Sequence, residues 1–167
     1  AKKADPEHIV HKGFGQMPVL EADEGVIIPQ SSAIANYLGD VLLHGSALTP
    51  LQRAKSNVLL AFHADQQKAM YGALFGSDES KEKGKTDFLA AVPTQLKYLE
   101  AQLPESGFVG GDKVTIGDLA LFDLATSPFP GYLAFKVDTS AFPRFTALVK
   151  AVGELPGVKA YTGKRGF

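Results

Sequence analysis

The sequence predicts a short α/β segment followed by an all-helical domain. Two stretches carry that prediction. Residues Phe14 to Ala35 read FGQMPVLEADEGVIIPQSSAIA: a Met17-Pro18 step, a strand, an acidic glycine turn, a second strand and a Gln-Ser-Ser cluster opening a helix. From Pro50 onward apolar residues recur at helical spacing to the end of the chain. With 167 residues, 45 % of them hydrophobic, the chain has enough apolar content for a packed core.

The elements follow from local chemistry. Ala1 to Gly13 is polar and expected to be irregular. Pro18 to Ala22 reads as a strand, Asp23-Glu24-Gly25 as a hairpin turn with glycine supplying the positive φ, and Val26 to Ile28 as a buried strand ended by Pro29. Ser31 or Ser32 is expected to cap a helix over 33–39. Such a helix start can hold a small anionic peptide, because its free amides and positive dipole end face outward. Gly39 to Thr49 reads as a linker.

A helix from Pro50 to about Phe75 carries the apolar set Leu51, Ala54, Val58, Ala61 and Phe62. Gly76 to Gly84 (GSDESKEKG) reads as a charged loop. Phe88, Val92, Leu96, Leu99 and Leu103 mark one face of the next helix, which Pro93 should bend. A compact turn at Phe108 to Asp112 precedes Thr115-Ile116-Gly117-Asp118, a capping box with Val114 and Leu119 as its hydrophobic staple. The helix it opens, 116–127, is apolar almost all round and should be buried. Replacing Asp118 is expected to cost about 1–2 kcal/mol through loss of the cap. Two more helical stretches, near 143–154 and 157–162, flank the Leu155-Pro156-Gly157 break. A lone hairpin and helix cannot stand in water, so the sheet should need partner strands or packing.

Composition narrows the function classes. Net charge is −1, with no basic cluster to attract nucleic acid or an anionic membrane surface. No apolar run is long enough to span a bilayer. There is no cysteine, hence no disulfide, no thiolate metal site and no cysteine nucleophile. The histidines show no metal-ligand spacing, so no metal is expected, and no phosphate-loop fingerprint is present.

Four blocks together carry a resemblance: FGQMPVLE, QSSAIANYL, FVGGDKVTIGDLALFDL and LPGVKAY. In that order they resemble the soluble glutathione transferases, from about residue 5 to the C-terminus. Among classes the chain looks most like the sigma group, with mu and pi close behind. The resemblance implies a thioredoxin-like glutathione-binding part over 1–40, a linker over 41–49 and an all-α helical domain over 50–167. It also implies that a β-α-β segment with the catalytic Tyr or Ser precedes residue 1. Tyr37, Tyr71, Tyr98, Tyr132 and Tyr161 all fall elsewhere, so no residue of this chain is given a catalytic role.

The same resemblance assigns the site. Met17-Pro18 matches a cis-proline step that turns the Met17 amide and carbonyl toward the cysteinyl backbone of glutathione. Gln30 and Ser31 match contacts to the γ-glutamyl end, and Gln16 matches a contact to the glycine end. The family's Trp and Lys for that end fall at Asp5 and Ile9, which cannot do that work; His8, His11 or Lys12 would have to supply the cation. Asp65 matches a carboxylate that reaches glutathione bound to a neighbouring subunit. Phe14 matches an aromatic key for a partner subunit. Met70, Tyr71, Leu74, Phe75 and Phe167 are placed as a wall for the hydrophobic co-substrate. For Gln30 and Ser31 the competing reading is a plain helix cap; for Phe14 and Asp65 it is a buried loop aromatic and a solvated carboxylate.

The implied function is conjugation of glutathione, as co-substrate, to a small electrophile by the complete protein. It implies a homodimer and a cytoplasmic location, or an organelle stroma after loss of a transit peptide. The alternative is a non-catalytic scaffold of the same fold within a larger assembly.

Overall fold

The computed structural model describes residues 8–43 and 47–165. It separates into two compact units, Ala1–Ala47 and Leu48–Phe167.

In the first unit, α1 (Ile9–Lys12) is followed by β1 (Val19–Glu21), β2 (Ile27–Pro29) and α2 (Ser31–Leu42). The strands pair antiparallel, with Leu20 opposite Ile28. Between them a 3₁₀ turn, Asp23–Gly25, closes through Ala22 N–H donating to the Val26 carbonyl at 2.8 Å. Glycine does not act alone here: Glu24 (φ 57°) and Gly25 (φ 75°) are both left-handed.

Four local expectations are corrected in this unit. The stretch before Gly13 is not all irregular. It forms α1, because Val10 is buried and His8 Nδ1 accepts from the Val10 amide at 3.3 Å. The second strand is only half-buried and Val26 is exposed, since a two-stranded sheet with one helix has little to cover it. Neither Ser31 nor Ser32 is the cap of α2: the cap position is Gln30, which makes no side-chain cap bond. The helix continues through Gly39 to Leu42, so the expected linker begins later. Its residues 44–46 lie outside the described residues.

The second unit is helical: α3 (Pro50–Leu74), α4 (Asp78–Gln102), α5 (Ile116–Thr126), α6 (Tyr132–Phe135), α7 (Pro143–Gly153) and α8 (Pro156–Arg165). Its core gathers Leu59, Met70, Phe88, Leu96, Leu121, Leu124, Tyr132, Phe145 and Val152. Thr49 and Gln52 form a reciprocal capping box at the start of α3, with Pro50 in the first turn. From Asp78 onward the GSDESKEKG stretch is helix and not loop. Ser77 caps it through the Ser80 amide, and Asp78 and Glu79 sit at the positive end of the dipole. Pro93 lies inside α4, which runs on as one element.

The face of α3 that packs inward differs from the expected one. Leu51, Ala54, Val58 and Ala61 are exposed. The buried row is Ser56, Leu59, Leu60, Gln66, Met70 and Ala73. Both rows have helical period. The buried one contains two polar residues whose partners lie far along the chain: Ser56 Oγ accepts from Gly117 N–H at 3.1 Å, and Gln66 joins Tyr132 and Gln95.

α5 is the central helix. The capping box at its start is formed: Thr115 Oγ1 accepts from the Asp118 amide at 3.3 Å, and Asp118 Oδ2 accepts from the Thr115 amide at 2.7 Å. Gly117 lets α3 and α5 touch backbone to backbone. A Cβ there would meet the Ser56 carbonyl oxygen at 2.4 Å and its Cα at 2.9 Å. Neither atom can swing away, so Gly117→Ala is expected to cost about 2–3 kcal/mol in urea unfolding, near the upper end for overpacking. A cost below that of an exposed-site alanine would remove this reading of the contact.

At α7, Glu100 of α4 substitutes for a cap. Its two carboxylate oxygens accept from the Arg144 and Phe145 amides at 2.6 and 3.0 Å.

Candidate functional site

The first unit holds the most chemically open surface of the expected site. The Met17–Pro18 bond is cis, and Met17 is 67 % exposed. Among the described residues its backbone N–H and C=O have no hydrogen-bond partner. Gln16, the residue before Met17, is exposed, and its backbone amide donates to the Gly13 carbonyl at 3.3 Å. Phe14 is left-handed (φ 59°) and 75 % exposed, which sets aside the reading of a buried loop aromatic.

The start of α2 is arranged differently from the starts of α3, α4, α5 and α7. Those four have first-turn amides engaged by Thr49, Ser77, Thr115 and Glu100. At α2 the first backbone bond is from the Ile34 amide to the Gln30 carbonyl at 2.9 Å, and among the described residues the amides of Ser31, Ser32 and Ala33 have no acceptor. Ser31 is exposed, and among the described residues its hydroxyl has no partner. Gln30 sits at φ 75°, ψ 120°. That conformation is unfavourable for a residue with a Cβ, by about 1–3 kcal/mol, and such residues cluster at ligand clamps. Open amides, a free hydroxyl and a positive dipole end together suit a carboxylate.

Ile9 lies in α1 and offers no charge; Asp5 is outside the described residues. His8 is committed to the Val10 amide.

In the second unit, Asp65 is exposed on the rim of a cavity of about 310 Å³ between α3 and α4. Among the described residues its carboxylate has no partner. Gln66 and Gln95 line the same cavity, beside Val58, Phe62 and Tyr98.

The expected co-substrate wall is not one surface. Met70 has no exposed area and belongs to the core, because it falls on the buried row of α3; Leu74 is half-buried against that core. Tyr71 and Phe75 are exposed and stacked, with ring centroids 5.8 Å apart at 26°. Phe167 lies outside the described residues.

The structure adds groups that residue spacing gave no reason to connect. Tyr132 donates to Gln66 Oε1 at 3.0 Å, and Gln66 Nε2 donates to Gln95 Oε1 at 2.9 Å. Burial pushes the Tyr132 hydroxyl well above its ordinary value, so it stays a neutral donor. His63 Nε2 meets Asp123 Oδ2 at 3.0 Å. Burial also raises the Asp118 carboxyl above its ordinary range, against the pull of its hydrogen bonds from Thr115 and Val109. Among the described residues no cluster of three or more His, Asp or Glu is placed to hold a metal, and no helix is long and apolar enough to cross a membrane.

A hairpin entered through a cis-proline and leading into an open helix start, with an all-helical unit after it in the chain, is the glutathione-transferase fold: a thioredoxin-like part and a helical domain. Two family models match, the glutathione S-transferase N-terminal domain over residues 1–40 and the C-terminal domain over 64–165. The chain is 33 % identical to hematopoietic prostaglandin D synthase of Gallus gallus, with 91 % of this chain and 74 % of that protein aligned. It is 32 % identical to glutathione S-transferase 1 of Ascaris suum, over 91 % and 75 % of the two chains. Among solved structures it matches rat hPGDS complexed with a quinoline at a TM-score of 0.76 and 27 % identity, covering 90 % of this chain and 74 % of that one. This chain belongs to the glutathione S-transferase family.

Proposed function

We propose that this chain holds glutathione and that its complete form conjugates the glutathione thiol to small electrophiles, as a sigma-like member of the family. The observation that carries the proposal is the open start of α2. It presents three amides and a Ser31 hydroxyl that have no partner among the described residues, and a strained Gln30, where the γ-glutamyl end would lie. Met17 and Pro18 offer an exposed backbone edge, unpaired among the described residues, to the cysteinyl residue, and Gln16 an exposed side-chain amide to the glycine end. No residue of this chain is assigned the hydroxyl that lowers the thiol pKa.

In this reading the glutathione-binding part expected over 1–40 runs to the end of α2 at Leu42, the linker follows it to 49, and 50–167 form the helical domain with the electrophile site. Tyr71 and Phe75 are the residues retained from the expected co-substrate wall. The partner is a second copy of the chain. The exposed row Leu51, Ala54, Val58 and Ala61, with Tyr98 69 % exposed on α4, supports that, and Phe14 is the residue offered to the neighbour. Asp65 then faces the ammonium of glutathione held by the second copy. The location in this reading is the cytoplasm or an organelle stroma, as the family resemblance implies.

The test is retention on immobilised glutathione. The folded chain is expected to bind and to elute with free glutathione. Folded protein that passes through, and co-purifies with larger partners, would favour a non-catalytic scaffold instead.

A further inference from the structure

We infer that the buried hydrogen-bond chain Tyr132–Gln66–Gln95 is a positioning device that sets the aim of Asp65. The inference rests on the proposed glutathione contact of Asp65. Gln66 is the next residue on α3, and it is 2 % exposed although it is an amide. It accepts from the Tyr132 hydroxyl of α6 at 3.0 Å and donates to the Gln95 side chain of α4 at 2.9 Å. Three helices are thereby fastened through one side chain. Gln66 and Gln95 also line the cavity whose rim carries Asp65.

The geometry gives the device its direction. Neighbouring residues on a helix are separated by a fixed turn about its axis. Rotating α3 to swing Asp65 would pull Gln66 from both partners and strand buried polar groups, which is unfavourable. The Tyr132 hydroxyl donates to the Gln66 oxygen and the Gln66 nitrogen donates to Gln95, so the Gln66 amide stands with its oxygen toward α6 and its nitrogen toward α4. A leucine at position 66 would fill the space and remove that constraint. Asp65, with no partner of its own among the described residues, would then sample a wider range of directions.

A two-residue cycle tests this, with glutathione affinity measured by calorimetry on the full chain. Samples are held at a concentration where sedimentation shows the dimer. Gln66→Leu is expected to weaken binding about three- to tenfold, and Asp65→Asn by a similar factor. Together they should weaken it no more than Asp65→Asn alone, because Gln66 acts only through Asp65. Tyr132→Phe, which keeps the ring and removes only the hydroxyl, should reproduce part of the Gln66→Leu loss. A purely structural role would lower the melting temperature and leave affinity unchanged, and that result overturns the inference. Equal losses from Gln66→Leu with and without Asp65 overturn it as well. If Asp65→Asn binds glutathione as tightly as the unsubstituted chain, the Asp65 contact falls and the inference with it. If the unsubstituted chain does not bind glutathione, the functional reading itself fails.

Discussion

Asp118→Ala is expected to lower the stability of the helical unit by about 3–5 kcal/mol, above the range for losing a helix cap alone. The carboxylate has no exposed area and accepts from the Thr115 amide and hydroxyl, both at 2.7 Å, and from the Val109 amide at 3.2 Å. Alanine would leave two buried amides and a hydroxyl without acceptors, at the start of the helix that α3, α6 and α7 pack against. Chemical unfolding with matched m-values reads the loss; a value near 1 kcal/mol would mean that the turn at Val109 relaxes and re-satisfies its donors.

The same residue has a pH signature. Its folded carboxyl titrates above the ordinary value of 3.8, because burial outweighs the hydrogen bonds that favour the charge. A raised folded value means that the folded state holds the proton more tightly than the unfolded state does. The resulting stabilisation is full below the ordinary value and is lost as pH rises through the folded value. The advantage of the native chain over Asp118→Asn is therefore expected to be largest in acid and to shrink as pH rises. A gap that grows with pH would show that the hydrogen bonds, and not burial, dominate.

Ser31→Ala is expected to weaken glutathione binding about tenfold or more, the range for losing a hydrogen bond to a charged group. The melting temperature should not change, because the Ser31 hydroxyl is exposed and among the described residues makes no bond. That split separates the two roles a serine at a helix start can have. A cap would lose stability, and a ligand contact would lose only affinity. Calorimetric titration beside a thermal melt decides it. Unchanged affinity would remove the open start of α2 as the site of the γ-glutamyl end.

Much of the fold was legible because its signals are local. The hairpin needed only Asp23-Glu24-Gly25 between apolar residues, and the α5 box only Thr115 and Asp118 three apart. The charged stretch 76–84 was misread because polarity suggested loop, whereas Ser77, Asp78 and Glu79 are a helix-start signature. The inward face of α3 was misread for a different reason. Ser56 and Gln66 look like surface residues until Gly117 and Tyr132 are brought to them, and Met70 went to the wrong surface with that error.

The sequence by itself determined the family resemblance, the hairpin and the capping box of α5, because each rests on signals between residues close in the chain. Tertiary structure alone decided which of two helical rows on α3 is core and that Gln66 is wired through the bundle. It also decided that Asp118 is a buried acceptor and more than a cap. The physical reason is common to all three. A polar group can be buried only where its partner arrives, and those partners come from elements that the chain brings together only when it folds.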